Sequence, residues 1–441
     1  MTDVRSPFVE RYDAELRAFV ERLVGFESTP GAEAGIQSFV REHLDALGFE
    51  TYEWEADPER LAGLPSFPDD PAAIPTAGRP SVAGVLELGS GEGRTLVLNG
   101  HVDVVPASDA GAGGRDDTSA SAATDGGAWR SDPFTATWSE DGKRLTARGA
   151  ADMKSGLGAC VYAARYLADR VEAGEADVDG RVVVESVAGE EEGGIGAASS
   201  ALDAPYTGER DAVVVAEPTE LRPVVASEGC LMLRLVVRGR SAHAATAWRG
   251  ASALDRFEVV HDALRGYESD HTETTTHPLY DGYTTPWPVV VGTVRAGEWP
   301  STVPARLTAE TRIGVAPGES VDEVETAVRE RLTETAREAG WPDALSIERF
   351  DVQFEPSEIA PDEPVVVAVQ DAMVDHGVAG TDPLGVTYGA DARHYTDAGV
   401  PAVLFGPGSI DQAHFPNETV EWDEVLTAGV TLSTAVERFL S

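Results

Sequence analysis

The chain has 441 residues, longer than the usual single domain, and 42% of them are hydrophobic, enough for more than one core. It carries 76 acidic residues against 34 basic ones, a formal net charge of −42, with the acids spread along the whole length. That balance argues against nucleic-acid binding, which needs basic patches, and no apolar run approaches the roughly 18–20 residues of a membrane-spanning helix.

The first residues, MTDVRSPFVERYDAELR, are charged and lack the apolar centre of a signal peptide, so a cytoplasmic location is expected. Leu16, Phe19, Val20, Leu23 and Val24 recur at helical spacing. A second helix carries Ile36, Phe39, Val40, Leu44 and Leu47 and stops at Gly48. A Pro-rich surface loop over 65–80 leads to strands at 82–88 and 95–98. The stretch 107–128, rich in Ala, Asp, Gly and Ser, reads as a solvated insertion loop. A helix is expected over 155–167, and strand and helix then alternate to Glu217, an α/β pattern.

The texture changes near Glu228. A strand at 231–237, a helix through Leu254, Phe257, Val260 and Leu264, strands at 288–294 and 306–315, a helix opening at Ser320 and Glu323 with capping-box spacing, and a strand at 345–352 make a βαββαβ unit. The α/β texture returns from about Pro361 and ends in a helix through Val425, Val436 and Leu440. The expected fold is an α/β catalytic domain in two parts, 1–227 and 355–441, interrupted by a ferredoxin-like α+β domain over 228–354. Cys160 and Cys230 lie in apolar runs and read as two buried free thiols.

The chemistry gathers where strands end. Glu190, Glu191 and Glu192 follow the strand 182–187, His101 and Asp103 follow 95–98, and Glu217 follows 212–215. Three adjacent carboxylates repel one another unless a cation neutralises them, and ligands of open α/β sheets bind at carboxyl ends of strands. Asp152 sits in a Gly-rich turn. The candidate ligands are therefore His101, Asp152, Glu192, Glu217 and His414, a set suited to two zinc ions sharing a carboxylate, with cobalt or manganese as substitutes.

The motifs NGHVDVVP (99–106), RGAADMKSG (148–156), GEEEGG (189–194), AEPT (216–219) and AHFPNE (413–418), in this order, resemble the dinuclear-zinc aminoacylase and exopeptidase family, which includes acetylornithine deacetylase, succinyl-diaminopimelate desuccinylase and the glutamate carboxypeptidases. The resemblance implies that His101 and Glu217 hold one ion, Glu192 and His414 the other, and Asp152 bridges them. It implies Asp103 orienting the His101 imidazole and Glu191 as general base. It further implies a homodimer in which His243 of the inserted domain stabilises the oxyanion at the neighbour's site. Arg312, Arg393 and Gly389 would meet the substrate, a small N-acyl amino acid or a peptide. The implied activity is amide hydrolysis of N-acyl amino acids; a dipeptidase or carboxypeptidase uses the same centre, and a catalytically silent metal-binding protein would have lost a ligand or the base, which this sequence has not. The acid-rich composition, with only Lys143 and Lys154 as lysines, is similar to that of proteins from salt-loving archaea.

Overall fold

The computed structural model describes residues 7–107, 128–350 and 352–441; the low-complexity stretch lies outside the described residues but for its two ends. Two sheets dominate. The larger has nine strands, ordered Glu50–Trp54, Ser81–Leu88, Gly180–Val187, Arg94–His101, Ala212–Val215, Ala402–Leu404, Val224–Ser227 and Ser357–Glu358, with Leu384–Val386 branching from Val224–Ser227. Its centre is parallel and reads as unbroken Val and Leu runs, as strands buried on both faces do.

Helices Ser155–Glu172, Trp422–Leu440 and Pro364–Asp375 pack on one another and against this sheet, and Pro7–Val24 joins them through Phe8, Leu16 and Phe19. His43 stacks on Phe19 and meets the Tyr162 hydroxyl. Both cysteines are free and buried, as expected.

The register of the parallel strands positions the chemistry. His101 lies opposite Val187, and Asn99 lies opposite Val215. The residues that follow, Gly189 to Glu192 and Glu217, therefore emerge beside His101 along one edge, the carboxyl edge of the sheet.

The second sheet is antiparallel, ordered Val289–Ala296, Arg306–Val315, Gly229–Arg238 and Leu345–Arg349. Its connectivity with helices Ala253–Thr274 and Val321–Glu338 is the βαββαβ unit expected, and the Ser320–Glu323 capping box is formed. Leu231, Leu233, Leu235 and Val237 alternate inward against Phe257, Val260, Leu264, Val324, Val328 and Leu332, a core separate from that of the large sheet. The last strand ends at Arg349, earlier than its pattern suggested, and Phe354 then pairs with Cys230 where the chain crosses back.

Strand Glu50–Trp54, at the edge of the large sheet, had no counterpart in the sequence reading. Its residues are exposed or half-buried with no alternation, so periodicity carries no signal there. No helix among the described residues is long and apolar enough to cross a membrane.

With a net charge of −42 the fold opposes its own charge at low ionic strength. Folding free energies are only about 5–15 kcal/mol, so screening should decide stability. Melting temperature is expected to rise steeply between dilute buffer and molar KCl. A flat profile by circular dichroism would contradict this.

Candidate active site

His101 ends the strand Arg94–His101 and is 1% exposed. Its Nδ1 lies 2.9 Å from the main-chain carbonyl of Asp103. A carbonyl only accepts, so Nδ1 carries a proton and Nε2 is the ring atom that an ion could take. That Nε2 faces Asp152 Oδ1 at 3.1 Å. The other oxygen, Oδ2, lies 3.7 Å from His414 Nε2, and His414 Nε2 is 3.1 Å from Glu191.

Two groups of ligand atoms result: His101, Asp152 and Glu217, and Asp152, Glu191 and His414, the atoms of each lying within 4.8 Å of one another. Asp152 belongs to both, one oxygen towards each histidine. Two imidazoles and three carboxylates, one of them shared, fit two divalent ions.

Glu192 is not in this set. Its carboxylate is ion-paired with the buried Arg79, whereas Glu191 faces His414. The expected register in the triple glutamate is thus shifted by one: Glu191 stands where Glu192 was expected, and Glu190 takes the neighbouring place. The carboxylate of Glu190 belongs to neither ligand group and lines the same cavity, of about 250 Å³. Positive φ at Gly189 (+80°) and at Gly193 (+101°) lets the chain enter and leave this single turn.

Asp103 also differs from expectation. Its carboxylate stands 3.8 Å from the His101 ring, and it is the carbonyl that holds the imidazole. The carboxylate instead accepts the N–H groups of Gly189 at 2.8 Å, Glu190 at 3.2 Å and Glu191 at 3.0 Å. Glu418, given no role by the sequence, does the same for the Asp152 turn. It accepts from Gly149, Ala151 and Asp152 at 2.8–3.1 Å and from Arg148 at 2.8 Å. Its only signal was its place in the motif of His414.

Arg312 and Gly389 line the cavity opposite the cluster, with Cys230, Phe354, Tyr388 and Ile410. Arg312 donates to Glu228 at 2.9 Å and to the Thr387 carbonyl at 3.4 Å. Arg393 does not reach the cavity, and its expected grip on substrate is withdrawn: it is fully buried, donates to the Ala390 carbonyl at 2.8 Å and lies 3.9 Å over the Phe354 ring. His243 is exposed on the four-stranded unit and does not line the cavity of its own chain. His394 is buried and donates to the Gly193 carbonyl at 2.9 Å. A larger groove of about 630 Å³ lies away from the cluster between helices Pro364–Asp375 and Trp422–Leu440, where Arg438 is already paired with Asp371 and Asp375.

Crowding shows in the acid–base balance. Burial raises Glu190, Glu191 and Glu217 above the usual carboxylate range, and Asp391 adds to Glu190 and Asp152 to the other two. Burial works against a charge on His101, but Asp152, Asp103 and Glu217 outweigh it and raise its pKa; His414 is raised by its bond to Glu191. Asp152 is the exception, lowered by His101 and His414 in spite of burial. A folded-state pKa above the unfolded one adds stability below the unfolded value and loses it as pH rises through the folded value. The metal-free protein is therefore expected to lose stability as pH rises from the ordinary carboxylate range, because the raised groups outnumber the lowered one. Ions must displace those protons, so zinc affinity should rise over the same range. Calorimetric affinities independent of pH would contradict the assignment.

Residues 97–438 match the model of peptidase family M20/M25/M40. An acetylornithine deacetylase of Aliivibrio fischeri is 27% identical over 335 residues, 76% of this chain and 78% of that protein. An N-formyl-4-amino-5-aminomethyl-2-methylpyrimidine deformylase of Halalkalibacterium halodurans is 26% identical over 458 residues, 97% of this chain and 95% of its own length. Human carnosine dipeptidase 1 shares the fold with a TM-score of 0.70 at 17% identity, over 98% of this chain and 97% of that one. The chain belongs to peptidase family M20/M25/M40 and is a metal-dependent hydrolase of that family.

Proposed function

We propose that the protein is a deacylase of N-acyl amino acids, with two zinc ions held by His101, Asp152, Glu217, Glu191 and His414 and with cobalt or manganese as substitutes. The observation that carries this reading is a shared carboxylate between two ligand groups, with a third carboxylate, that of Glu190, lining the same cavity outside both. The two sequence relatives, named for removing an acetyl and a formyl group, favour deacylation over peptide cleavage.

When bound, the ions polarise the acyl carbonyl and acidify the attacking water. The chain's residues do the rest. Glu190 takes a proton from the water and passes it to the leaving amine, as a buried carboxylate with a raised pKa is suited to do. Arg312, held by Glu228 and by the Thr387 carbonyl, presents its free edge to a substrate carboxylate. Asp103 and Glu418 hold the two ligand turns still. His243, exposed on the four-stranded unit, serves the oxyanion of a second chain in a homodimer.

Glu190→Gln is expected to keep both ions and lose turnover by roughly a hundredfold or more, whereas Glu191→Gln should weaken the second ion. The assay is hydrolysis of N-acetyl, N-formyl, N-succinyl and dipeptide substrates in molar KCl. Full activity of Glu190→Gln would sink the base assignment. Faster cleavage of dipeptides would make the protein a peptidase with the same centre.

The cross-subunit role of His243 is tested by complementation. Inactive His243→Ala mixed with inactive Glu190→Gln should regain part of its activity once subunits exchange, since one site of each mixed dimer carries neither defect. No recovery despite proven exchange would confine His243 to its own chain or to no role.

A further inference from the structure

Three identical side chains in a row pose a physical question: nothing in their own chemistry decides which one turns to His414 and Asp152. Asp103 settles the start of the turn by accepting the N–H groups of Gly189, Glu190 and Glu191. The far end is met by Arg79, just before the strand Ser81–Leu88 and 3% exposed. Its Nε donates to Glu33 Oε1 at 2.9 Å and its Nη1 to the Pro75 carbonyl at 3.2 Å. Nη2 also pairs with Glu33, and Nη1 with Glu192. Nη2 lies 3.2 Å from where a Cβ on Gly189 would sit, so the guanidinium packs against the turn itself.

Glu33 is fully buried, and its Oε2 has no hydrogen-bond partner among the described residues. The side chain of Glu192 is 35% exposed. A buried, planar, permanently charged fork is therefore fixed at its inner end by Glu33 and draws the outermost glutamate to itself. Without that fork Glu192 is a free carboxylate one residue from a ligand in a site that attracts cations.

We propose that Arg79, anchored by Glu33, is a positioning residue that removes the degeneracy of the triple glutamate. It holds Glu192 out of the cluster, so that Glu191 alone meets the second ion and Glu190 is left facing the cavity. This rests on the two-ion reading of the site.

The test is calorimetric zinc titration of the metal-free full chain in molar KCl, with the visible spectrum of the cobalt-loaded protein as a second readout. Wild type should take up two ions. Glu33→Gln/Arg79→Met, which removes both buried charges together, should weaken the second ion about tenfold or more while leaving the first, at His101, Asp152 and Glu217, nearly unchanged. Adding Glu192→Gln to that pair removes the competitor and should return most of the lost affinity. A merely structural Arg79 would lower the melting temperature of the double and triple variants alike and would neither separate the two ions nor be suppressed. Should the double variant not fold, Arg79→Lys keeps the charge without the fork and should weaken only the second ion, by about threefold or more. Two ions bound by wild type and by every variant with like affinity would overturn the proposal, as would loss in the double variant that Glu192→Gln does not restore. A wild-type chain that binds a single ion would overturn the two-ion reading and this proposal with it.

Discussion

Like charges crowded out of water govern this structure. At the carboxyl edge of the large sheet, Asp103, Asp152, Glu190, Glu217 and Glu418 are all buried, and Glu191 beside them is half-buried. Such a group is tolerated only with compensation. The fold supplies it unevenly. Asp103 receives three backbone N–H groups, Glu418 three and the Arg148 guanidinium, and Glu192 has Arg79. Glu185, deeper in the sheet, accepts from Asn99, Ser200, Tyr206 and Tyr395. The remaining acids of the edge, Asp152, Glu190, Glu191 and Glu217, are left with two histidines, and the carboxylate of Asp391 behind them has no hydrogen-bond partner among the described residues. Asp103 and Glu418, which accept main-chain N–H groups, shape the ligand turns; of the acids left over, Asp152, Glu191 and Glu217 are the ones in the ligand groups.

Much of this was legible in the sequence because ligand chemistry and strand ends coincide. Apolar runs such as 212–215 mark parallel strands, and the first polar residue after each run is where a ligand can stand. His101 and Glu217 at strand ends, and Asp152 and His414 in turns, are all brought together. What failed was whatever depended on a partner distant in sequence. The register of the glutamates turns on Arg79, which lies 113 residues from Glu192 and looks like any surface arginine in a Pro-rich loop. The resemblance implied that Arg393 meets the substrate, yet Phe354 and Ala390 enclose it. The family resemblance implied that the Asp103 carboxylate orients the imidazole; the carbonyl of the same residue takes that bond and frees the carboxylate for the next turn.

The same reasoning explains why Arg312 and Arg393, alike in sequence, part company. Backbone joins the four-stranded unit to the large sheet at only two crossings, and these pair with each other: Cys230 donates to the Phe354 carbonyl at 2.7 Å, and Phe354 donates back at 3.0 Å. Any rotation of one unit against the other must be absorbed there. Arg393, fixed beneath the Phe354 ring, belongs to the stationary side of that joint. Arg312, on the strand Arg306–Val315, belongs to the other unit, yet its guanidinium is tied to Glu228 at the joint and to Thr387 of the large-sheet side. Burial pushes Glu228 up to about 8, with Arg312 opposing the rise. A cation at a cavity wall that is held from both sides of a joint reports the arrangement of the two units at the place where an anionic substrate would be bound. That makes the crossing a direct physical link between the four-stranded unit and the cavity of its own chain.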